Sequence, residues 1–314
     1  MSPVRGVQIV QRVVPLDSVG CYVPGGRYPL PSSLLMTAVP ARVAGVKNIV
    51  AVCPKPAPVV MLAAIEAGVT RLFRIGGAHA VAALAYGTRA VPRVDKIVGP
   101  GNAWVAAAKA LVSADCGIDF FAGPSEIAVL STACRADWIA ADLLAQAEHD
   151  PDARAVFVTS SRRLAADVAR TVDAQMPREG PARTAIARNG GVIVCKSVEE
   201  SIELVQRMAP EHAVCDSAAI ASRLTRAGTV FVGANSAQAC GDYITGSNHV
   251  LPTMGAAAVR GGLSAADFVR VSTVQRISAT GLRTIAAAAI TLAEAEGLRA
   301  HAASIAIRLR KRAH

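Results

Sequence analysis

The chain has 314 residues, 52% of them hydrophobic, which is enough for a large core or two domains. No apolar run is as long as a bilayer span and the N-terminal segment lacks the features of a signal peptide, so we expect a cytoplasmic protein with no membrane partner. The net charge of +10 does not predict nucleic-acid binding, because the one tight basic run, residues 308–312, contains no aromatic residues, and the seven scattered cysteines form neither a disulfide framework nor a thiolate zinc motif.

Strands and helices alternate through the first half of the sequence. Residues 7–14 alternate loosely as a strand does, and residues 20–26 run from a β-rich stretch into a Pro-Gly-Gly turn. The pattern then predicts strands at 48–53, 70–75 and 96–98, and helices at 31–45, 58–67, 78–86 and 102–112. Such alternation is typical of right-handed βαβ units that build a mainly parallel sheet.

Glycines follow two of these strands, at Gly76-Gly77 and at Gly99-Pro100-Gly101. Loops of this kind lie at the carboxyl edge of a parallel sheet, where ligands bind. Neither loop completes G-x-G-x-x-G, because Trp104 stands where the third glycine is needed. The pattern alone therefore favours a structural turn over a dinucleotide site.

The second half repeats the alternation and then breaks it. Strands are predicted at 125–131, 155–159, 191–195 and 228–232, so we expect a second sheet. Residues 234–253 form a long polar stretch, which is uncommon in a compact protein unless it has a function. Helices at 278–295 and 299–310, joined at Gly297, close the sequence.

Polar residues in this second half offer two kinds of chemistry. Gln146 and His149 are three positions apart near the end of a helix that Pro151 terminates, so they share a face that can bind a metal. Together with Asp242 and His301 they would form a set that suits zinc, although spacing leaves open whether the four converge. Glu211 and His212 follow Pro210 in a predicted turn, where they are either a general base with an activator of water or two polar surface residues.

Seven motifs of the chain, taken in order, resemble the histidinol dehydrogenase family from Gln11 onward. They are Y-V-P-G-G, K-I-V-G-P-G-N, D-F-F-A-G-P-S-E, D-L-L-A-Q-A-E-H, A-P-E-H, G-D-Y-I-T-G-S-N-H-V-L-P-T and E-G-L-R-A-H. The resemblance implies an α/β fold of two incomplete Rossmann-like domains with mainly parallel sheets, followed by a C-terminal helical tail. It divides the chain into residues 1–24 with 130–273, residues 25–129, and a tail of residues 274–314 that is exchanged between the subunits of a homodimer.

The resemblance also implies a reaction and its residues. L-histidinol would be oxidised to L-histidine through histidinal, with zinc and two NAD as cofactors, and Glu211 and His212 would be the catalytic pair. The zinc ligands would be Gln146, His149, Asp242 and His301. The substrate would contact Ser125, His212, Glu296 and the four zinc ligands. NAD would contact Tyr22, His79 and Asn102, although the family usually has glutamine at position 79.

Two further implications concern assembly and substrate. The chain begins where the family is already well advanced, so we expect a helical N-terminal segment to be missing, which leaves dimerisation open. A related zinc and NAD alcohol dehydrogenase acting on another polyol, such as a sulfonated diol, and a catalytically silent subunit are the alternatives. Glu296 favours the amino alcohol, because a carboxylate can pair with an ammonium group.

Overall fold

The computed structural model describes residues 1–26, 28–120 and 123–310. Two residues of the predicted basic run, 311 and 312, and residues 121–122 of the D-F-F-A-G-P-S-E motif therefore lie outside the described chain. Contacts divide the chain into two compact units. The main unit is Leu16–Phe268, and the terminal unit combines Met1–Pro15 with the chain from Val269 onward.

Strands and helices alternate through the main unit, as the sequence predicts, and the elements of both units are numbered together in chain order. The strands are β1 Val7–Pro15, β2 Ser18–Tyr22, β3 Asn48–Val52, β4 Arg71–Phe73, β5 Lys96–Val98, β6 Gly117–Ile118, β7 Glu126–Leu130, β8 Arg154–Thr159, β9 Gly190–Val194, β10 His212–Cys215, β11 Thr229–Val232 and β12 Val269–Ile277. The helices are α1 Pro31–Ala44, α2 Pro58–Glu66, α3 Gly77–Tyr86, α4 Ala103–Val112, α5 Ala136–Ala147, α6 Arg162–Gln175, α7 Ala182–Asn189, α8 Val198–Met208, α9 Ala218–Ala221, α10 Ala279–Ala295 and α11 Arg299–Ala306.

The first sheet of the main unit is parallel, with the strand order β4-β3-β2-β5-β6. Side chains alternate between its two faces, because successive residues of a strand point in opposite directions. Val19 and Cys21 pack with α1 and α2, whereas Tyr22 and Val52 pack with α3 and α4. Helices thus cover both faces, and the strands are nearly continuous apolar runs, as buried parallel strands are.

The second sheet is also parallel, with the order β11-β10-β7-β8-β9. On one face Ile127 and Val129 pack against α5 and α6, and on the other face Ala128 packs against α8. The α/β fold with mainly parallel sheets is therefore confirmed. The sheets divide the chain at a different point from the predicted domains, because strand β2 pairs with β3 and β5 although residues 1–24 were grouped with 130–273.

The terminal unit contains an antiparallel pair and the helices α10 and α11. Val7 pairs with Ile277 and Pro15 with Val269, so β1 belongs to this unit and to neither parallel sheet. The Ser278 hydroxyl caps α10 by accepting a hydrogen bond from the Gly281 amide. The helical tail is confirmed as an element, whereas its exchange between subunits stays a prediction.

Candidate active site

Three candidate residues lie at the amino edge of the second sheet. Ser125 immediately precedes β7, and Glu211 immediately precedes β10. His212 pairs with Ile127 across these parallel neighbours, so the strand starts lie side by side. The chain bends at Glu211 after α8, as predicted, but His212 already begins a strand, and both side chains are buried, so they are not two polar surface residues.

Hydrogen bonds determine how Glu211 and His212 are presented. The Glu126 amide donates to Glu211 Oε2 over 2.8 Å, and the Ser125 hydroxyl also hydrogen-bonds to this carboxyl group. His212 Nδ1 lies 3.2 Å from the Glu126 carbonyl oxygen, which can only accept, so Nδ1 carries the proton. A neutral His212 therefore keeps Nε2 as a proton acceptor.

Burial changes the protonation of this pair. It raises the pKa of Glu211 to about 8 and lowers the pKa of His212 to about 4, because each charged form loses its hydration. At neutral pH the pair is thus a protonated carboxyl group and a neutral imidazole. Such an imidazole is ready to accept a proton, whereas the carboxyl group becomes a base only at higher pH.

Helix α5 supplies a buried amide with no partner. The side chain of Gln146 is 1% exposed, and neither its Oε1 nor its Nε2 has a hydrogen-bond partner among the described residues. The helix ends one residue later, before Pro151, as the sequence predicts. A buried amide left unpaired costs about 1–3 kcal/mol, so an atom with no partner at this position points to a ligand.

Asp242 approaches the end of the same helix. It ends a 3-10 turn, Gln238–Asp242, that packs against α5, and its Oδ2 lies 4.0 Å from His149 Nε2. Gln238 Nε2 donates to Asp242 Oδ2 over 3.3 Å, and His249 Nδ1 donates to the Asp242 carbonyl over 2.9 Å. The structure therefore brings the predicted ligands His149 and Asp242 together.

An amide oxygen, a carboxylate and an imidazole are donors that a borderline cation such as zinc accepts. No group of three His, Cys, Asp or Glu side chains is arranged for a metal in the described ranges, so the set depends on the Gln146 amide. The unpartnered amide of Gln146, near the helix end where Asp242 faces His149, is a donor that fits such an ion. The remaining predicted ligand, His301 in α11, and Glu296 after α10 belong to the terminal unit.

The predicted NAD residues lie at the carboxyl edge of the first sheet. Strand order reverses between β2 and β5, and at such a point a doubly wound sheet opens a crevice for ligands. The Tyr22 hydroxyl at the end of β2 accepts from the Gly77 amide, two residues before His79 in the first turn of α3. Asn102 caps α4 by accepting from the Val105 amide over 3.1 Å.

The backbone between β5 and α4 has no room for a side chain. Gly99 has φ +114, and a Cβ placed on it would lie 2.3 Å from the Tyr22 carbonyl oxygen. Glycine is therefore required here for both conformation and space. This glycine loop leads into the N-terminus of α4, and a helix N-terminus favours an anionic group such as a phosphate.

The polar stretch after β11 connects the two sheets. Asn248 Nδ2 donates to the Met36 carbonyl of α1, and the Met254 amide donates to Glu126 Oε1 over 3.0 Å. Val250 packs in the core of the first sheet.

Glu126, Gln238 and His249 are neighbours of the site to which the sequence pattern assigned no role. Only their polar character beside motif residues could have indicated them.

The comparisons with known proteins agree with this geometry. The family model described as Histidinol dehydrogenase matches residues 1–309. The chain belongs to the histidinol dehydrogenase family.

Relatives in the family are longer than this chain. It is 49% identical to histidinol dehydrogenase from Bradyrhizobium diazoefficiens, with 97% of this chain and 73% of the relative aligned. It is 50% identical to the enzyme from Geobacter sulfurreducens over 96% of this chain and 72% of the relative. The crystal structure of histidinol dehydrogenase from Elizabethkingia anophelis superposes with a TM-score of 0.94 at 34% identity, covering 98% of this chain and 74% of that one.

Family membership makes the protein an oxidoreductase of the dehydrogenase type and confirms the resemblance that the motifs carry. The role of each site residue stays a prediction. Across the described residues, no helix has the length and apolar character needed to cross a membrane.

Proposed function

We propose that this protein is a zinc- and NAD-dependent dehydrogenase that oxidises L-histidinol to L-histidine through histidinal, the last step of histidine biosynthesis. The observation that carries the proposal is the buried, unpartnered Gln146 amide near the end of α5, the helix end at which His149 and Asp242 face each other. A bound metal ion would give this amide the partner that it lacks. A cytoplasmic location accords with a biosynthetic role.

Gln146, His149 and Asp242 would hold zinc through an oxygen, a nitrogen and an oxygen, with His301 as the fourth ligand. When bound, zinc would supply a positive centre that binds and orients the imidazole and amine of the substrate. Ser125 would contact the substrate beside the catalytic pair, and the Glu296 carboxylate would pair with its ammonium group. Gln238 supports the arrangement by donating to Asp242.

His212 would act as the general base. Its Nδ1 proton is committed to the Glu126 carbonyl, and its neutral form leaves Nε2 to accept the hydroxyl proton as the carbon-bound hydrogen departs as hydride. NAD accepts that hydride when bound in the crevice of the first sheet. The alcohol thereby loses one proton and one hydride and becomes the aldehyde.

Glu211 would serve the second oxidation. The aldehyde must add water before a second hydride can leave, and a buried carboxylate beside the Ser125 hydroxyl is placed to take the proton of that water. The raised pKa of Glu211 makes this carboxylate a stronger base once it is ionised. The hydrated aldehyde, with one proton on Glu211, would lose its hydride to a second bound NAD, and the acid that results would release its remaining proton to solvent and become the carboxylate.

Tyr22, His79 and Asn102 would position NAD. Tyr22 fixes the start of α3 through the Gly77 amide, and Asn102 fixes the start of α4. His79 stands where the family usually has glutamine, and its imidazole can still donate a hydrogen bond. Glu296 and His301 would reach the site from the tail of the second subunit of a homodimer.

One experiment tests the activity. Purified protein is incubated with zinc, NAD and a limiting amount of L-histidinol, and NADH is followed by absorbance. We expect about two NADH per histidinol, because both oxidations use NAD. Turnover of a sulfonated diol but not of histidinol would favour a different substrate, and no turnover by a protein that binds zinc would favour a silent subunit.

A further inference from the structure

Asp119 makes an unusual number of contacts for a buried carboxylate. It follows the last strand of the first sheet and is 4% exposed. Its Oδ2 accepts from the Gly99 amide over 2.7 Å, and its Oδ1 accepts from the Phe120 amide over 2.7 Å. The Lys109 ammonium forms a direct ion pair with Oδ1. Both oxygens of the carboxylate therefore have at least one donor.

Lys109 completes the contact with the same glycine. Its side chain is buried in α4, and its Nζ donates to the Gly99 carbonyl over 3.1 Å. The ion pair thus binds both polar groups of the Gly99 backbone, the amide through Asp119 and the carbonyl through Lys109. A buried charge pair is rarely needed for stability alone, since a well-packed apolar pair is often as stable. The contact of both charged side chains with a single residue, Gly99, therefore needs another explanation.

Gly99 is the first residue of the loop that leads to Asn102. Its positive φ and the lack of room for a Cβ beside the Tyr22 carbonyl require glycine, and glycine has the most backbone freedom to lose when the loop becomes ordered. Ordering such a residue costs about 1–2 kcal/mol of backbone entropy. If the loop is ordered before the cofactor arrives, this cost does not reduce cofactor affinity.

We propose that Lys109 and Asp119 are positioning residues for the dinucleotide: together they hold the Gly99–Asn102 loop in its cofactor-binding conformation. Neither side chain touches the crevice in this assignment, and both act through the Gly99 backbone. The inference rests on the proposed NAD dependence and adds to it the residues that preorganise the site.

Arg260, in the segment after the polar stretch, adds contacts to residues 119 and 120. Its guanidinium donates to the Asp119 carbonyl, lies 4.5 Å above the Phe120 ring, and pairs with Asp267 over 3.1 Å. Residue 119 is thereby anchored from both sides. The position of Asp119 is accordingly held by contacts within the chain.

The test compares two carboxylates at opposite edges of the first sheet, one before strand β5 and one after the neighbouring strand β6. Asp119→Asn keeps the size of the side chain and removes the charge opposite Lys109. Asp95→Asn is the matched control, because Asp95 precedes β5 and accepts from the Asp17 and Ser18 amides at the far edge of the same sheet. Both variants lose one carboxylate that binds backbone amides, so both are expected to lower the melting temperature.

Affinity for NAD is measured by calorimetry and by quenching of Trp104 fluorescence, since Trp104 is exposed two residues after Asn102. We expect Asp119→Asn to raise the Kd for NAD about tenfold or more, or about 1.4 kcal/mol, and Asp95→Asn to change it less than about twofold. Zinc affinity is expected to stay within about twofold in both. An equal loss of NAD affinity in the two variants, or none in Asp119→Asn, overturns the proposal.

Two further measurements keep the test decisive if Asp119→Asn does not fold. Lys109→Met removes the donor to the Gly99 carbonyl together with the counterion of Asp119, and it is expected to weaken NAD binding in the same direction. In the unaltered protein without NAD, the Gly99 amide is expected to exchange with solvent as slowly as the amides of β5. Fast exchange at Gly99 beside slow exchange in β5 overturns the proposal. A wild-type protein that binds no NAD at all contradicts the proposed function instead.

Discussion

The buried amide of Gln146 destabilises the metal-free folded state and favours metal binding. The amide is buried and unpartnered, which disfavours the metal-free folded state, whereas the same amide oxygen is suited to a cation. Gln238 is equally buried, but it donates to Asp242. The two glutamine side chains are therefore equally buried, but among the described residues only the Gln238 amide has a hydrogen-bond partner.

This difference predicts the effect of Gln146→Met. Methionine has a similar length and no amide to desolvate, so we expect the metal-free protein to become about 1–2 kcal/mol more stable in urea denaturation. Zinc affinity, measured by competition with a chelator, is expected to fall about tenfold or more. The control Gln238→Met removes a partnered amide and is expected to destabilise the protein. A metal-free Gln146→Met protein that is less stable than wild type contradicts the assignment.

Glu211 makes stability and catalysis depend on pH in opposite directions. Burial raises its pKa from 4.5 to about 8, so between these values the folded chain keeps a proton that the unfolded chain has released. Its contribution to stability is therefore present below pH 4.5 and is lost as pH rises through about 8. The carboxylate that serves as a base appears over the same range.

Glu211→Gln is expected to remove this dependence. The variant should equal wild type in stability at pH 4 and exceed it at pH 9, by roughly a few kcal/mol as an upper value, since each pKa unit corresponds to about 1.4 kcal/mol. Urea denaturation at both pH values measures the difference, with the exposed Glu66→Gln as the control. The variant should also accumulate aldehyde, with about one NADH formed per histidinol. A stability difference of the same size at both pH values would contradict the raised pKa.

At the scale of elements, the local sequence pattern was sufficient to predict a strand or helix wherever that element is long and strongly apolar. Strands β3, β7 and β8 lie where the sequence predicted them, because each is a buried run between turn signals. Strand β10 was missed, since it has only four residues and follows a proline that was taken for a turn.

Strand β12 was missed for another reason. Its polar and charged residues pair with β1 at the opposite end of the sequence, and no local pattern encodes such a partner. The position of the candidate active site was also not predictable from local sequence rules. Sequence reasoning directs attention to carboxyl edges of parallel sheets, whereas Ser125, Glu211 and His212 meet at an amino edge. Only tertiary packing brings the turn with Asp242 to the end of α5.

At the scale of the whole molecule, the proposed site draws on two separate units of the chain. Gln146, His149 and Asp242 belong to the main unit, and Glu296 and His301 belong to the terminal unit. A tail exchanged between subunits would make each site a joint product of two chains. A two-fold dimer then contains two equivalent shared sites.

Complementation between inactive variants tests that exchange. Asp242→Ala and His301→Ala are each expected to be inactive, because each lacks one ligand. In a dimer that combines them, one site carries both changes and the other carries neither, so an equimolar mixture assembled at random recovers about a quarter of wild-type activity. Recovery is measured as NADH formation after unfolding and refolding the two variants together.

The matched control combines Asp242→Ala with Gln146→Ala. Both changes lie in the main unit, so every shared site keeps one of them whichever chain supplies the tail. No recovery is expected from this pair, and refolding losses affect both mixtures alike. Recovery in the first mixture alone means that His301 acts in the site of the other subunit. Failure in both, with each variant refolded as a dimer, means that each tail serves its own chain and that residues 274–314 are not exchanged.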